Sequence, residues 1–280
     1  MYNFRFVRDD FAVFHVGAAY GVYADADFGS APTLDIATSQ GFNQVGVTAE
    51  KTAIGARYIQ IKGVVRGDIP RQKRAMRRAI PPLARGWLVF QDWVIRVVVQ
   101  NPPSFATERR NGSFLLRFLA PYPFFQSKRI NTVQIGRIDK KFSFPVNYAT
   151  PHQFGVLSGD RQVYIYNDSD VDVQFTLTIK AVGASTGTVL TNLDTLETLT
   201  LTKPLTAGDV FVLRQDGGIV TAELTREGLT SNAISWLGED STLFKLRPGD
   251  NLIALTDSVG GINIVGQIEY AEEAVSVYEA

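Results

Sequence analysis

The 280-residue chain carries 28 Lys+Arg against 28 Asp+Glu, is 45% hydrophobic and 20% charged, and contains no cysteine. That is globular composition with enough length for two domains, and it excludes disulfides and thiolate metal sites. No apolar run approaches the roughly 18 residues that span a bilayer as a helix, and Asp9 and Asp10 stand where a signal peptide needs its apolar segment, so a soluble protein outside the usual export route is expected.

The net charge of zero conceals two halves. Residues 1–127 hold 16 Lys+Arg and 9 Asp+Glu, net +7, and residues 128–280 hold 12 and 19, net −7. The change falls at Phe118–Ser127, Phe-Leu-Ala-Pro-Tyr-Pro-Phe-Phe-Gln-Ser. Pro121 and Pro123 fix φ and push their predecessors toward extended geometry, so this stretch reads as a stiff joint between domains over residues 1–136 and 137–280.

In chain order, Phe11–Val16 reads as a first short strand. Residues 18–46 are rich in Gly, Ala, Ser and Thr with few apolar anchors, which predicts a long loop or hairpin arm, mobile in a monomer and ordered by neighbours. Arg57–Val65 alternates as a half-buried strand does. Asp68 is a natural N-cap with Pro70 in the first turn, and Ile69, Met76, Ala79, Ile80 and Leu83 share a face of the helix that follows. Pro81-Pro82 ends it. Three strands follow at Trp87–Phe90, Trp93–Val99 and Ser113–Leu119, with Asn111-Gly112 as a tight turn before the last. Trp93–Val99 is apolar on both faces apart from Arg96, so cover on both sides is expected.

The acidic half gives strand signals about every 8–12 residues. They lie near Phe142–Tyr148, Gln162–Tyr166, Val173–Lys180, Gly187–Leu190, Glu197–Leu201, Asp209–Leu213, Ile219–Leu224, Leu243–Leu246, Asn251–Leu255 and Ile262–Glu269. Turn chemistry separates them, as at Ala207-Gly208-Asp209 and Pro248-Gly249-Asp250. With no helical interruption, this predicts an antiparallel β-sandwich.

Catalytic motifs do not emerge. There is no nucleophile elbow, Walker A loop or dinucleotide fingerprint, and His15 and His152 read as strand or loop residues. Asp168, Asp170 and Asp172 lack the glycine and closing Glu of a calcium loop and read as a solvated turn. No cofactor or metal is expected. Five basic residues, Arg71, Lys73, Arg74, Arg77 and Arg78, cluster on the helix as a solvated face, a subunit interface or a pore lining; sequence-specific nucleic-acid binding lacks its accompanying motifs. Tyr164, Tyr166 and Trp236 read as core aromatics or as stacking platforms for a sugar.

The order of motifs resembles the siphophage distal tail proteins. Arg57-Tyr58-Ile59-Gln60-Ile61-Lys62-Gly63, the basic helix, Trp87-Leu88-Val89-Phe90, Trp93–Val99 and Phe118-Leu119-Ala120-Pro121-Tyr122-Pro123-Phe124-Phe125 look like that family's first domain, which closes on a segment of the form apdPy. Val163–Asn167, Phe175–Ile179, Leu199–Leu201, Ala207–Asp209 and Ser241-Thr242-Leu243-Phe244-Lys245-Leu246-Arg247-Pro248-Gly249-Asp250-Asn251 are similar to its galectin-like C-terminal sandwich. The resemblance covers about residues 55–270; residues 1–54 carry none of it. Asn167-Asp168-Ser169-Asp170 stands where the family often has Asn-x-Gly-Asp, which leaves that turn type open.

The resemblance implies a mainly β protein: an N-terminal β-sandwich or split-barrel domain with one helix, then a galectin-like sandwich. It implies a structural virion component without enzymatic activity at the tail tip, assembled in the bacterial cytoplasm. As a homo-hexameric ring it would join the tail tube protein to baseplate, fibre and receptor-binding proteins. The alternative is a carbohydrate-binding sandwich that contacts a host glycan.

Overall fold

The structure is a computed structural model that describes residues 3–106, 112–140, 155–158, 161–258 and 263–277. The chain divides into two compact units: Met1–Arg129 with Glu273–Ala280, and Ile130–Glu272.

The first unit contains β1 (Phe4–Arg8), β2 (Val13–Val16), β3 (Val22–Ala26), β4 (Leu34–Ser39), β5 (Thr48–Ile54), β6 (Arg57–Val65), helix α1 (Ile69–Ala79), β7 (Arg85–Phe90), β8 (Trp93–Phe105), β9 (Ser113–Ala120) and the start of β10 (Phe125–Ile135). Seven strands run antiparallel in the order β2-β1-β7-β8-β9-β6-β3. The Gly17 N–H donates to Val22 O at 2.8 Å, bridging β2 to β3 and bringing the row back on itself as a small barrel. The barrel is split at β8, whose Trp93 and Val94 pair with β10 as well as with β7.

Period-two alternation points one set of side chains inward: Phe4 and Phe6, Ile59 and Ile61, Leu88 and Phe90, Ile95, Val97 and Val99, Phe114, Leu116 and Phe118. Each large side chain so buried stabilises by about 1.5–3 kcal/mol. Phe28 joins this core against Phe4, Phe90 and Phe125, at ring centroid distances of 5.5, 4.9 and 5.9 Å. Helix α1 starts where expected: the Asp68 carboxylate accepts from Arg71 N at 3.1 Å, and Met76 and Ile80 are buried.

Several expectations are corrected. Pro121-Tyr122-Pro123 is not an interdomain joint but a turn between β9 and β10, anchored on both sides by buried Phe118, Ala120 and Phe125. The chain leaves the first unit inside β10, between Arg129 and Ile130, and returns inside β21, so residues 273–280 belong to the first unit rather than to the second. The arm is also displaced from residues 18–46: Val22, Ala24, Ala26 and Phe28 are core, and the projecting element is the β4–β5 hairpin, exposed at every strand position. The strand β1 escaped the sequence reading. Ile95, Val97 and Val99 of β8 are buried, whereas Val94, Arg96 and Val98 are only half-buried. There Arg96 lies over the Trp87 ring and pairs with Asp9 at 2.8 Å, so that outer face has polar cover of its own.

The second unit contains the end of β10, β11 (Arg137–Lys140), β12 (Gly155–Ser158), β13 (Gln162–Asn167), β14 (Thr176–Ala181), β15 (Thr188–Asn192), β16 (Glu197–Leu201), β17 (Val210–Asp216), β18 (Ile219–Arg226), β19 (Leu229–Asn232), β20 (Gly249–Thr256) and most of β21 (Ile264–Ala274). One sheet runs β19-β18-β17-β14-β21 and the other β13-β20-β15-β16, all antiparallel. Between them lie Phe175, Leu177, Ile179, Phe211, Leu213 and Ile268 from one side and Ile165, Leu190, Leu199, Leu201, Ile253 and Leu255 from the other. This is the expected antiparallel sandwich.

Leu243–Leu246 is not a strand. Only Leu246 bridges, to Val173, while Phe244 inserts into the core against Phe175 at 5.4 Å. The strand expected at Phe142–Tyr148 lies outside the described residues, as do Asn111 and His152.

Candidate functional site

Buried polar side chains build the turns of the second unit. Asn251 Nδ2 donates to Arg247 O at 2.8 Å and Gly249 O at 3.1 Å, while its Oδ1 accepts from Arg247 N at 2.9 Å. Gly249 takes φ 89°, which a side chain would resist. At Ala207-Gly208-Asp209, the buried Asp209 carboxylate accepts from Thr206 N at 2.7 Å and from Arg226 at 2.6 Å. The Arg226 hydrogen bonds hold the Asp209 carboxyl down to about 2, against the desolvation that opposes it. Asn167 closes the turn that lacks a glycine: its Oδ1 accepts from Ser169 N at 3.1 Å, and none of residues 167–172 adopts positive φ. The motif residues are therefore turn-builders.

Tyr164 and Tyr166 stand two apart on β13, an edge strand, on the same outward face and well exposed. Trp236 is not with them. It lies beside the end of β16, at the opposite edge of that sheet, where its backbone carbonyl accepts from Thr202 N at 2.8 Å. Lys203 and Arg226 cover its ring at 5.5 and 5.8 Å, and it packs on the core. The structure thus separates the three aromatics named from sequence.

The five cations of α1 also divide. Lys73 and Arg77 lie over the Phe105 ring at 5.3 and 5.0 Å, and Arg71, Arg74 and Arg78 are exposed. Arg77 and Arg78 occupy the last turn, where positive charge suits the helix dipole. None of the five forms an ion pair among the described residues.

Sequence reasoning missed a groove of about 940 Å³ on the outer face of β3, β6 and β9, lined by Tyr23, Lys62, Val64, Arg66, Phe105 and Leu115 among others. Arg66 lies over the Tyr23 ring at 4.8 Å. Gly63 forms part of the floor, where a Cβ would come within 2.3 Å of Tyr23 O. The groove combines apolar surface with two cations, Lys62 and Arg66, and one carboxylate, Asp25. His15 stacks on Tyr20 at 4.6 Å. Among the described residues, no group of three or more His, Asp or Glu is arranged to hold a metal ion.

Sequence missed Arg57 as well. It is fully buried, over the Phe125 ring at 4.8 Å, donating through Nη2 to Val275 O, while Nε and Nη1 have no hydrogen-bond partner among the described residues. Burial pushes its guanidinium down to about 10, partly offset by Asp27.

No protein-family model matches the chain, and no curated protein matches it. Solved structures do. The SPP1 Dit protein, described as a paradigm of hub adsorption apparatus in phages infecting Gram-positive hosts, aligns with a TM-score of 0.69 at 10% identity, over 96% of this chain and 98% of that one. A chain of the phage P2 baseplate in its activated conformation with Ca aligns at 0.49 and 12% identity over 99% of this chain and 100% of that one. Its counterpart with Sr aligns at 0.48 and 12% identity over the same shares. The TM-score of 0.69 across almost the whole of both chains places this protein in the fold of SPP1 Dit, split barrel and sandwich together.

Proposed function

We propose that the chain is a structural hub protein of a long-tailed bacteriophage, acting by assembly rather than catalysis. The observation that carries this is the likeness to SPP1 Dit over 96% of the chain, which takes in both units rather than one generic sandwich. In this reading the first unit forms a hexameric ring at the tail tip. The ring joins the tail tube to baseplate, fibre and receptor-binding proteins, and it assembles in the host cytoplasm. The exposed β4–β5 hairpin supports it, because an isolated two-stranded ribbon is marginal in water and gains order from a neighbour. A ring of identical chains needs a heterologous interface that closes by rotation. The test is the mass of the purified chain by light scattering, with negative-stain images. A six-subunit ring supports the reading; a monomer that stays monomeric when mixed with tail tube and baseplate proteins overturns it.

A second reading, glycan binding by the sandwich, is favoured by the paired exposure of Tyr164 and Tyr166. Glycan-array signal from the full chain that disappears in Tyr164→Ala/Tyr166→Ala supports it. A blank array removes it.

A further inference from the structure

We propose that the β4–β5 arm of one copy seats in the groove on the outer face of β3, β6 and β9 of a second copy. The inference rests on the ring reading and names the two surfaces that would form its interface.

The arm has the binary pattern of a half-buried ribbon without the burial. Antiparallel register puts Leu34 opposite Ile54 and Ile36 opposite Thr52 on one face, with Asp35, Ala37, Lys51 and Ala53 on the other. Leu34, Ile36 and Ile54 are all more than half exposed, and at the tip Phe42 and Val45 are 98% and 101% exposed. Such a concentration of apolar surface on a projecting element marks an interaction site.

The same unit offers a matching concavity. The groove has Val64, Leu115 and the Phe105 ring for apolar contact, with Lys62 and Arg66 on its rim and one acid, Asp25, opposite Lys62 in the strand register. Asp35 and Glu50 of the arm form no ion pair among the described residues, so they are available to those cations. The two surfaces are also oriented for propagation. The arm leaves the barrel at the Ala26 and Arg57 ends of β3 and β6, while the groove extends toward the opposite, Val22 and Val65, ends of the same strands. An arm at one end and its receptor toward the other give a head-to-tail contact, the kind that closes into a ring.

The absence of native cysteine makes the test clean. Phe42→Cys and Ser104→Cys are placed together in the full chain and treated with a short bis-maleimide, while light scattering records the mass. Val45→Cys with Ser104→Cys is the second pair. The expected result is a covalent ladder of dimers and higher species on a denaturing gel, absent from either single-cysteine variant. Replacing Phe42 and Val45 by Ser is expected to lower the self-association constant roughly tenfold or more. A ring of undiminished mass and stability in the Ser variant, with no ladder from either pair, overturns this inference and leaves the ring standing. A chain that neither associates nor cross-links overturns both.

Discussion

Tyr122 donates a hydrogen bond of 2.6 Å to the buried carboxylate of Glu273, 151 residues further along the chain. Gln126 donates to the other carboxylate oxygen at 3.3 Å. The Pro121-Tyr122-Pro123 turn is thus a clasp on the returning C-terminal segment. Tyr122→Phe keeps the ring and removes the donor, and the first unit is expected to lose about 1–2 kcal/mol. Urea unfolding checks this; an unchanged midpoint would mean that Gln126 and solvent suffice.

Arg57 is a buried cation with two of its guanidinium nitrogens, Nε and Nη1, lacking a hydrogen-bond partner among the described residues. A side chain of similar length without charge removes the desolvation cost and retains the packing on Phe125. Arg57→Met is expected to lie within about 1 kcal/mol of the native protein or above it, whereas Arg57→Ala, which leaves a cavity, should cost about 2–4 kcal/mol. The same urea curves decide. A Met variant as damaged as the Ala variant would show that the guanidinium itself is required.

Asp209 ties stability to pH. Its carboxyl titrates near 2 when folded, below its ordinary 3.8, so the stabilisation is fully present above about pH 4 and is lost as pH falls from there toward 2. The contribution is about 1–2 kcal/mol, moderated because Arg226 is open to solvent. The stability difference between the native protein and Asp209→Asn should therefore be largest at pH 7 and should shrink through that window. A difference independent of pH would assign the effect to packing instead.

Asn251 uses its amide as both donor and acceptor to fold the Arg247–Gly249 turn. Asn251→Ala should cost about 2–3 kcal/mol through unsatisfied buried backbone groups. Asn251→Asp, which turns a carboxylate toward two carbonyls, should cost more at pH 7 and less once protonated. Thermal melts at pH 7 and pH 4 separate the two; equal melting of both variants at both pH values would count against the donor role.

Much of the architecture is legible in the sequence because period-two alternation is a local property. Arg57–Val65 is a strand with those bounds, and Val173, Phe175, Leu177 and Ile179 are all buried together. The helix is equally local, since Asp68 caps it and Pro81 closes it. What escapes is set by distant partners. An arginine at a strand start reads as a surface residue; only Val275 and Phe125, supplied from elsewhere in the chain, make Arg57 a core residue. The Pro-Tyr-Pro turn reads as a joint because stiffness is visible locally, whereas the Glu273 that Tyr122 holds is not. At the candidate surfaces, the shared face of Tyr164 and Tyr166 follows from their spacing. The groove is invisible because its walls come from strands far apart in sequence.

The return of residues 273–280 to the first unit bears on how the protein is made. Val277 packs in the barrel core and donates from its N–H to Phe28 O at 3.4 Å, so the first unit receives this segment only after the whole second unit has been synthesised. The second unit is complete in sequence earlier, and can fold while the barrel still lacks its closing segment. A chain cut before Glu273 would carry a folded sandwich on an unclasped barrel. In this way a segment made after the sandwich decides whether the barrel before it is closed.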